Sequence, residues 1–138
     1  MPPHDFKRFP ELTNSQMQIY YFQSPHKQIT EPFLAKVVQV TDGDTIRVLW
    51  AERDFNFPVR MAEIAAAELD ERGGLESQRF LSNEILDEEV EIIPTKMRVE
   101  KWGRLLANVM FLGLYMSAHV INNGHAVNWE NREVERWS

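Results

Sequence analysis

The 138-residue chain contains no cysteine, which excludes disulfides, thiolate metal sites and cysteine nucleophiles. No run approaches the ~18 consecutive apolar residues of a membrane helix. The N-terminal stretch MPPHDFKRFPELTNSQ is polar and broken by prolines, without the apolar core of a secretory signal. These absences lead to the expectation of a soluble, intracellular protein that does not enter membranes. His4, His26, His119 and His125 lack a metal-binding spacing such as HExxH. Positive charge is in short supply too: 15 Lys and Arg face 21 Asp and Glu, for a net charge of −6. A polyanionic partner is normally met by Lys and Arg, so this balance counts against nucleic acid. A local basic patch on an acidic protein remains compatible with it.

What is present is the composition of an ordinary globular domain. Hydrophobic residues make up 43% and charged residues 26%, so a packed core is within reach of one compact domain. Residues 1–32 carry five of the seven prolines and read as an N-terminal extension that packs on the domain formed by residues 33–138. Its middle, MQIYYFQ, is apolar enough to cover something, as a short helix or strand.

Phe33 to Val40 and Thr45 to Trp50 are strand-like and joined through Asp42-Gly43, a hairpin signal. Phe57 to Ile64 reads as a third strand. Leu75, Phe80, Leu81, Ile85 and Leu86 recur at helical spacing and predict an amphipathic helix over residues 75–87. Val90, Ile92 and Ile93 give a fourth strand ended by Pro94. Residues 96–103 read as a charged loop, and Arg104 to Phe111 as a fifth strand. A helix follows around Met116 to Asn123, stopped by Gly124, and the tail from Asn128 to Trp137 reads as one more short helix. Three strands, a helix, two strands and then helices is the order of a five-stranded OB-type β-barrel.

Three motifs stand out, each with a plain structural reading beside a functional one. Asp42-Gly43-Asp44-Thr45 is a turn in the plain reading; in the functional one, Asp44 offers a carboxylate to a hard cation. Arg60, in an otherwise half-buried strand, is either a salt-bridge partner or a bidentate clamp on phosphate. Glu68, just past that strand, is at its simplest a charge favoured by a helix N-terminus. Lys101-Trp102-Gly103-Arg104 is a basic turn, or an arginine for phosphate beside an aromatic for stacking a base. His119 reads as packed on its helix, and Asp87-Glu88-Glu89 as a solvated helix end.

Taken in this order and spacing, the motifs resemble the staphylococcal nuclease (thermonuclease) family over roughly residues 33–127. That family shows a strand, Asp-Gly-Asp-Thr, a strand carrying Arg into Asp-x-Pro-Glu, a helix, and Lys-Tyr-Gly-Arg. The resemblance implies a calcium-dependent nuclease acting on DNA or RNA, single-stranded by expectation. It implies that Asp44 holds the metal and that Glu68 activates or positions the attacking water. Arg60 and Arg104 would bind the phosphate and stabilise charge, and Lys101 and Trp102 would contact substrate. Two departures bear on activity: the second metal carboxylate falls on Ala65 and the proline on Ala67. A methyl group cannot ligate a cation, so calcium binding should be weakened. Glu63, two residues earlier, shares a face with Ala65 only if the strand stays extended; its simpler reading is a solvated or salt-bridged charge. Trp102 in place of Tyr keeps the stacking face. The competing reading is a non-catalytic OB-type module that binds nucleic acid or protein.

Overall fold

A computed structural model of the chain describes residues 3–131. Its centre is a closed five-stranded mixed β-barrel with three helices. Strands β1 (Phe33–Asp42), β2 (Thr45–Leu49) and β3 (Phe57–Met61) form an antiparallel meander. Strands β5 (Glu89–Val99) and β6 (Leu105–Phe111) follow the short β4 (Ile64–Ala65) and helix α2 (Gly74–Ile85). β5 pairs with β1 and with β6, and β6 returns to β3 in parallel, which closes the barrel.

The strands alternate because one face must fill the barrel. In β3, Phe57, Val59 and Met61 point in; in β6, Leu105, Ala107 and Val109 do the same. In β1 the buried positions are 35, 37 and 40. That break in the period of two coincides with a bulge between Val37 and Gln39, which adds one residue to the strand. Each side chain such as Ile46 or Leu105, both fully buried, contributes about 1.5–3 kcal/mol by leaving water. Leu81 and Ile85 of α2 lie one turn apart and join the same core, so the helix packs against β1.

The structure departs from the sequence expectation at several boundaries. α2 spans Gly74–Ile85 rather than 75–87, because Leu86 turns extended and Asp87 takes a positive φ of 66°. The third strand stops at Met61: Ala62 and Glu63 form a turn, with Glu63 at φ 69°, before β4. Glu63 is therefore not on an extended strand with Ala65, and its side chain is exposed. Pro94 does not end its strand. β5 runs on to Val99, with Pro94 opposite Ala107 and an irregularity between Pro94 and Val99, the kind of place where a missing N–H is tolerated. Helix α3 (Met116–Asn122) lies where a helix is expected, after the two-residue strand β7 (Leu114–Tyr115). Of the expected tail helix, the described part is a single 3-10 turn at Trp129–Asn131; the rest lies outside the described residues.

The N-terminal residues lie on the barrel. Helix α1 (Asn14–Tyr20) is capped by Thr13 in a reciprocal box with Gln16, which satisfies two end amides at once. Leu12 and Ile29 are fully buried. Between them the Glu11 carboxylate, 2% exposed, pairs with Arg53 and stands 3.7 Å from Arg98. Arg98 also donates to the Leu12 and Ile29 carbonyls at 3.0 and 2.6 Å. Among the described residues, no helix is long and apolar enough to cross a membrane.

Candidate phosphate-binding site

The β1–β2 turn, the end of β3 and the start of β6 meet at one edge of the barrel. Asp44 sits in the two-residue turn and is buried. Gly43 is glycine for want of room: a Cβ there would lie 2.7 Å from the Ala66 methyl and 2.8 Å from Ser77 Cβ. That close approach lets the turn settle on the loop after β4, where the Ala66 amide donates to Asp44 Oδ2 at 2.9 Å. The Thr45 hydroxyl donates to Asp44 Oδ1 at 3.0 Å.

Register brings the first arginine in. Thr45 pairs with Arg60 across β2 and β3, and Arg60 Nη2 lies 3.3 Å from Asp44 Oδ2. The same Nη2 donates to the Ile64 carbonyl at 2.8 Å and Nη1 to the Met61 carbonyl at 2.5 Å, so both ends of the guanidinium are held. The parallel pairing of β3 with β6 places Arg104, just before β6, beside it. Arg104 Nη1 reaches Thr45 Oγ1 at 3.4 Å, and Nη2 pairs with Glu100 at 3.1 Å. Asp44, Arg60 and Arg104 thus come together around Thr45.

Glu68 is placed differently. It is exposed, on a loop whose backbone is tied by Glu68 N–H to Glu71 Oε1 at 2.8 Å. The loop folds back over the start of α2. A Cβ on Gly74 would fall 1.8 Å from the Glu68 carbonyl oxygen, which explains the glycine at that position. Glu68 is close enough to Asp42 for its charge to act there, but among the described residues its side chain bonds to neither arginine. Lys101 and Trp102 sit in the loop just before Arg104. Both are exposed, with Lys101 Nζ 5.2 Å from the indole centroid.

Asp42 is pushed up from the ordinary 3.8 to about 7. Burial is the largest cause, followed by the hydrogen bond and the negative charge of Asp44, with Glu68 adding a little. Burial beside the Asp44 carboxylate therefore disfavours a second negative charge here. The carboxylates here fall short of a calcium cage: Asp44 Oδ2 already meets Arg60 and the Ala66 amide, and Oδ1 the Thr45 hydroxyl. Ala65 is buried and paired with Val127. Among the described residues, no group of three or more His, Asp or Glu side chains is placed to hold a metal. Of the carboxylates that the resemblance assigns to a metal, Asp44 alone is present, so water and substrate oxygens would have to complete any shell.

The raised Asp42 has a consequence for stability. Folding holds its proton more tightly than the unfolded chain does, so its contribution is complete below about pH 4 and is lost as pH rises through about 7. Asp42→Asn should remove this loss. In thermal melts with chelator present, the Tm advantage of the variant should grow between pH 4 and 8. An advantage that stays constant with pH would contradict the raised value.

No protein-family model matches the chain, and no curated protein matches it.

Two contributors to the site lay outside the sequence reading. Trp129 stands 5.6 Å over the Arg60 guanidinium, brought there by strand β8 (Val127–Asn128), which pairs with β4. A two-residue strand has too few positions to show a period. Glu100 lies four residues before Arg104, and its carboxylate accepts from the amides of Trp102 and Arg104; acid and base at that spacing were a visible hint. His119 packs on α3, 3.4 Å from Glu84 and beside the Phe80 ring, away from this site.

Proposed function

We propose that this chain binds nucleic acid phosphodiesters at the Asp44–Thr45 turn and hydrolyses them, as a nuclease of the staphylococcal nuclease type. The observation that carries the reading is the arrival of two guanidiniums, Arg60 and Arg104, on one Asp-Thr pair from two strands. Each is planar and suited to a two-point grip on phosphate. Each is now paired with a carboxylate, Asp44 or Glu100, which a phosphate would displace or share. Phosphoryl transfer depends chiefly on positioning and on stabilising charge on the phosphoryl oxygens, which these residues supply. Glu68, on the solvent side next to Asp42, is the base that activates or positions water. Lys101 and Trp102 hold the neighbouring part of a DNA or RNA strand. A divalent cation, when bound, would be held by Asp44 and would supply further stabilisation of phosphoryl charge.

A second reading is favoured by one observation. With Ala65 where the resemblance places a carboxylate, the site grips phosphate without cutting, and the domain is an OB-type binding module. Digestion of single-stranded DNA and RNA with calcium and with chelator separates the two. Cleavage that chelator abolishes supports the nuclease; binding without cleavage favours the module. Ala65→Asp should tighten calcium binding, read by calorimetry, and raise cleavage. Unchanged calcium affinity in that variant would overturn the assignment of Asp44 as the metal residue.

A further inference from the structure

We propose that the N-terminal segment around Arg8, together with the Lys101–Gly103 loop, forms a second contact surface for the continuation of a single nucleic acid strand held at Arg60 and Arg104. This rests on the phosphate-binding reading of that site and extends it onto residues outside the family-like region.

The segment is preorganised. Glu11 and Leu12 are buried and tied to Arg53 and Arg98. Just before them, the Phe9 ring lies against the backbone of Gly103, where a Cβ would come 2.6 Å from Phe9 Cδ1. Gly103 is the residue before Arg104, so the N-terminal segment touches the very loop that presents the phosphate site. The Phe9 backbone is fixed in turn, its amide donating to the Asp5 carbonyl at 2.9 Å and its carbonyl 2.8 Å from His4 Nε2.

Charge then points to the occupant. The Arg8 guanidinium lies 5.1 Å from the Phe9 ring centroid, and Lys101 lies beside Trp102 in the adjoining loop. Both cations are exposed, and among the described residues neither pairs with a carboxylate. The nearby Asp5 side chain accepts instead from the Lys7 and Arg8 amides, at 3.2 and 3.1 Å. On a chain of net charge −6, exposed cations on two segments that touch at Phe9 and Gly103, next to Arg104, mark a local path for a polyanion. Trp102, 66% exposed, offers a ring face for stacking. Only an unpaired base has a free face to give it, so the path suits a single strand and not a duplex.

The test uses the full chain and labelled single-stranded DNA of about four and about twelve nucleotides, a span covered by OB-type binding sites. Arg8→Glu should weaken binding of the longer strand by about tenfold. It should also flatten the salt dependence by about 0.7 in log–log slope for each phosphate that is no longer neutralised. The shorter strand should be unaffected, whereas Arg104→Ala should weaken both. Arg8 is exposed, so an unchanged melting curve confirms that the variant is folded, and Arg8→Gln should give a smaller loss in the same direction. Wild-type affinity and salt slope in Arg8→Glu, with Arg104→Ala still impaired, would overturn the extended surface and leave the phosphate site standing. Equal losses on both strand lengths in Arg8→Glu would also overturn it, since Arg8 would then act on the site itself. Failure of the wild-type chain to bind either strand would overturn both readings.

Discussion

Glu68→Gln is expected to lower the rate of phosphodiester cleavage by ~10²–10⁴-fold while leaving strand affinity nearly unchanged. The amide keeps the shape of the side chain and removes the carboxylate that, on the proposed reading, takes a proton from water. Glu68 makes no bond to Arg60 or Arg104 among the described residues, so its loss should not loosen their grip on phosphate. The arginines should behave differently. On the same reading, Arg60→Ala or Arg104→Ala removes a group that would contact phosphate throughout, so affinity and turnover should fall together. Lys at either position should rescue only part of the loss, because an ammonium cannot reproduce the planar two-point contact. Single-turnover cleavage and equilibrium binding of the same oligonucleotide separate the two patterns. A Glu68→Gln variant that cuts at the wild-type rate would remove Glu68 from the mechanism.

The largest expected effect on stability lies where the N-terminal segment is anchored to the barrel. Glu11→Ala should destabilise the fold by about 3–5 kcal/mol, the range for breaking a buried ion pair from one side. The loss would leave two buried guanidiniums without their carboxylate. Burial already pulls Arg53 and Arg98 below the usual arginine range, and the charge of Glu11 is the main opposing influence on both. Arg53 is also stacked 4.5 Å from the Phe57 ring centroid in the core, so it has little freedom to turn out to water. Urea unfolding of wild type and Glu11→Ala measures the difference directly. A loss below about 1 kcal/mol, the size of an exposed pair, would mean that the extension is not clamped as its burial indicates.

The barrel was legible because its strands repeat the same local rule. Val59 and Met61, or Leu105, Ala107 and Val109, alternate cleanly, and the helix between the third and fourth strands carries its own spacing. Boundaries were harder wherever the backbone did something a period cannot encode. The turn at Glu63, the passage of β5 through Pro94 and the early end of α2 each depend on one or two residues in unusual conformations. At the site, the Asp-Gly-Asp-Thr turn and both arginines could be named from motif order. That Arg60 and Arg104 meet beside Asp44 was implied by the resemblance; strand register is what brings the two guanidiniums to Thr45. The clamp by Glu11 was not legible at all. Its partners, Arg53 and Arg98, are 42 and 87 positions away, and each alone looks like an ordinary surface charge.

If Arg60 and Arg104 form one phosphate-binding surface, the Arg60→Ala/Arg104→Ala double variant should bind single-stranded DNA at least about tenfold more weakly than wild type. Across a salt series its slope should be shallower by about 1.4, two phosphates at ~0.7 each. Equal affinity and equal slope in the two proteins would contradict it.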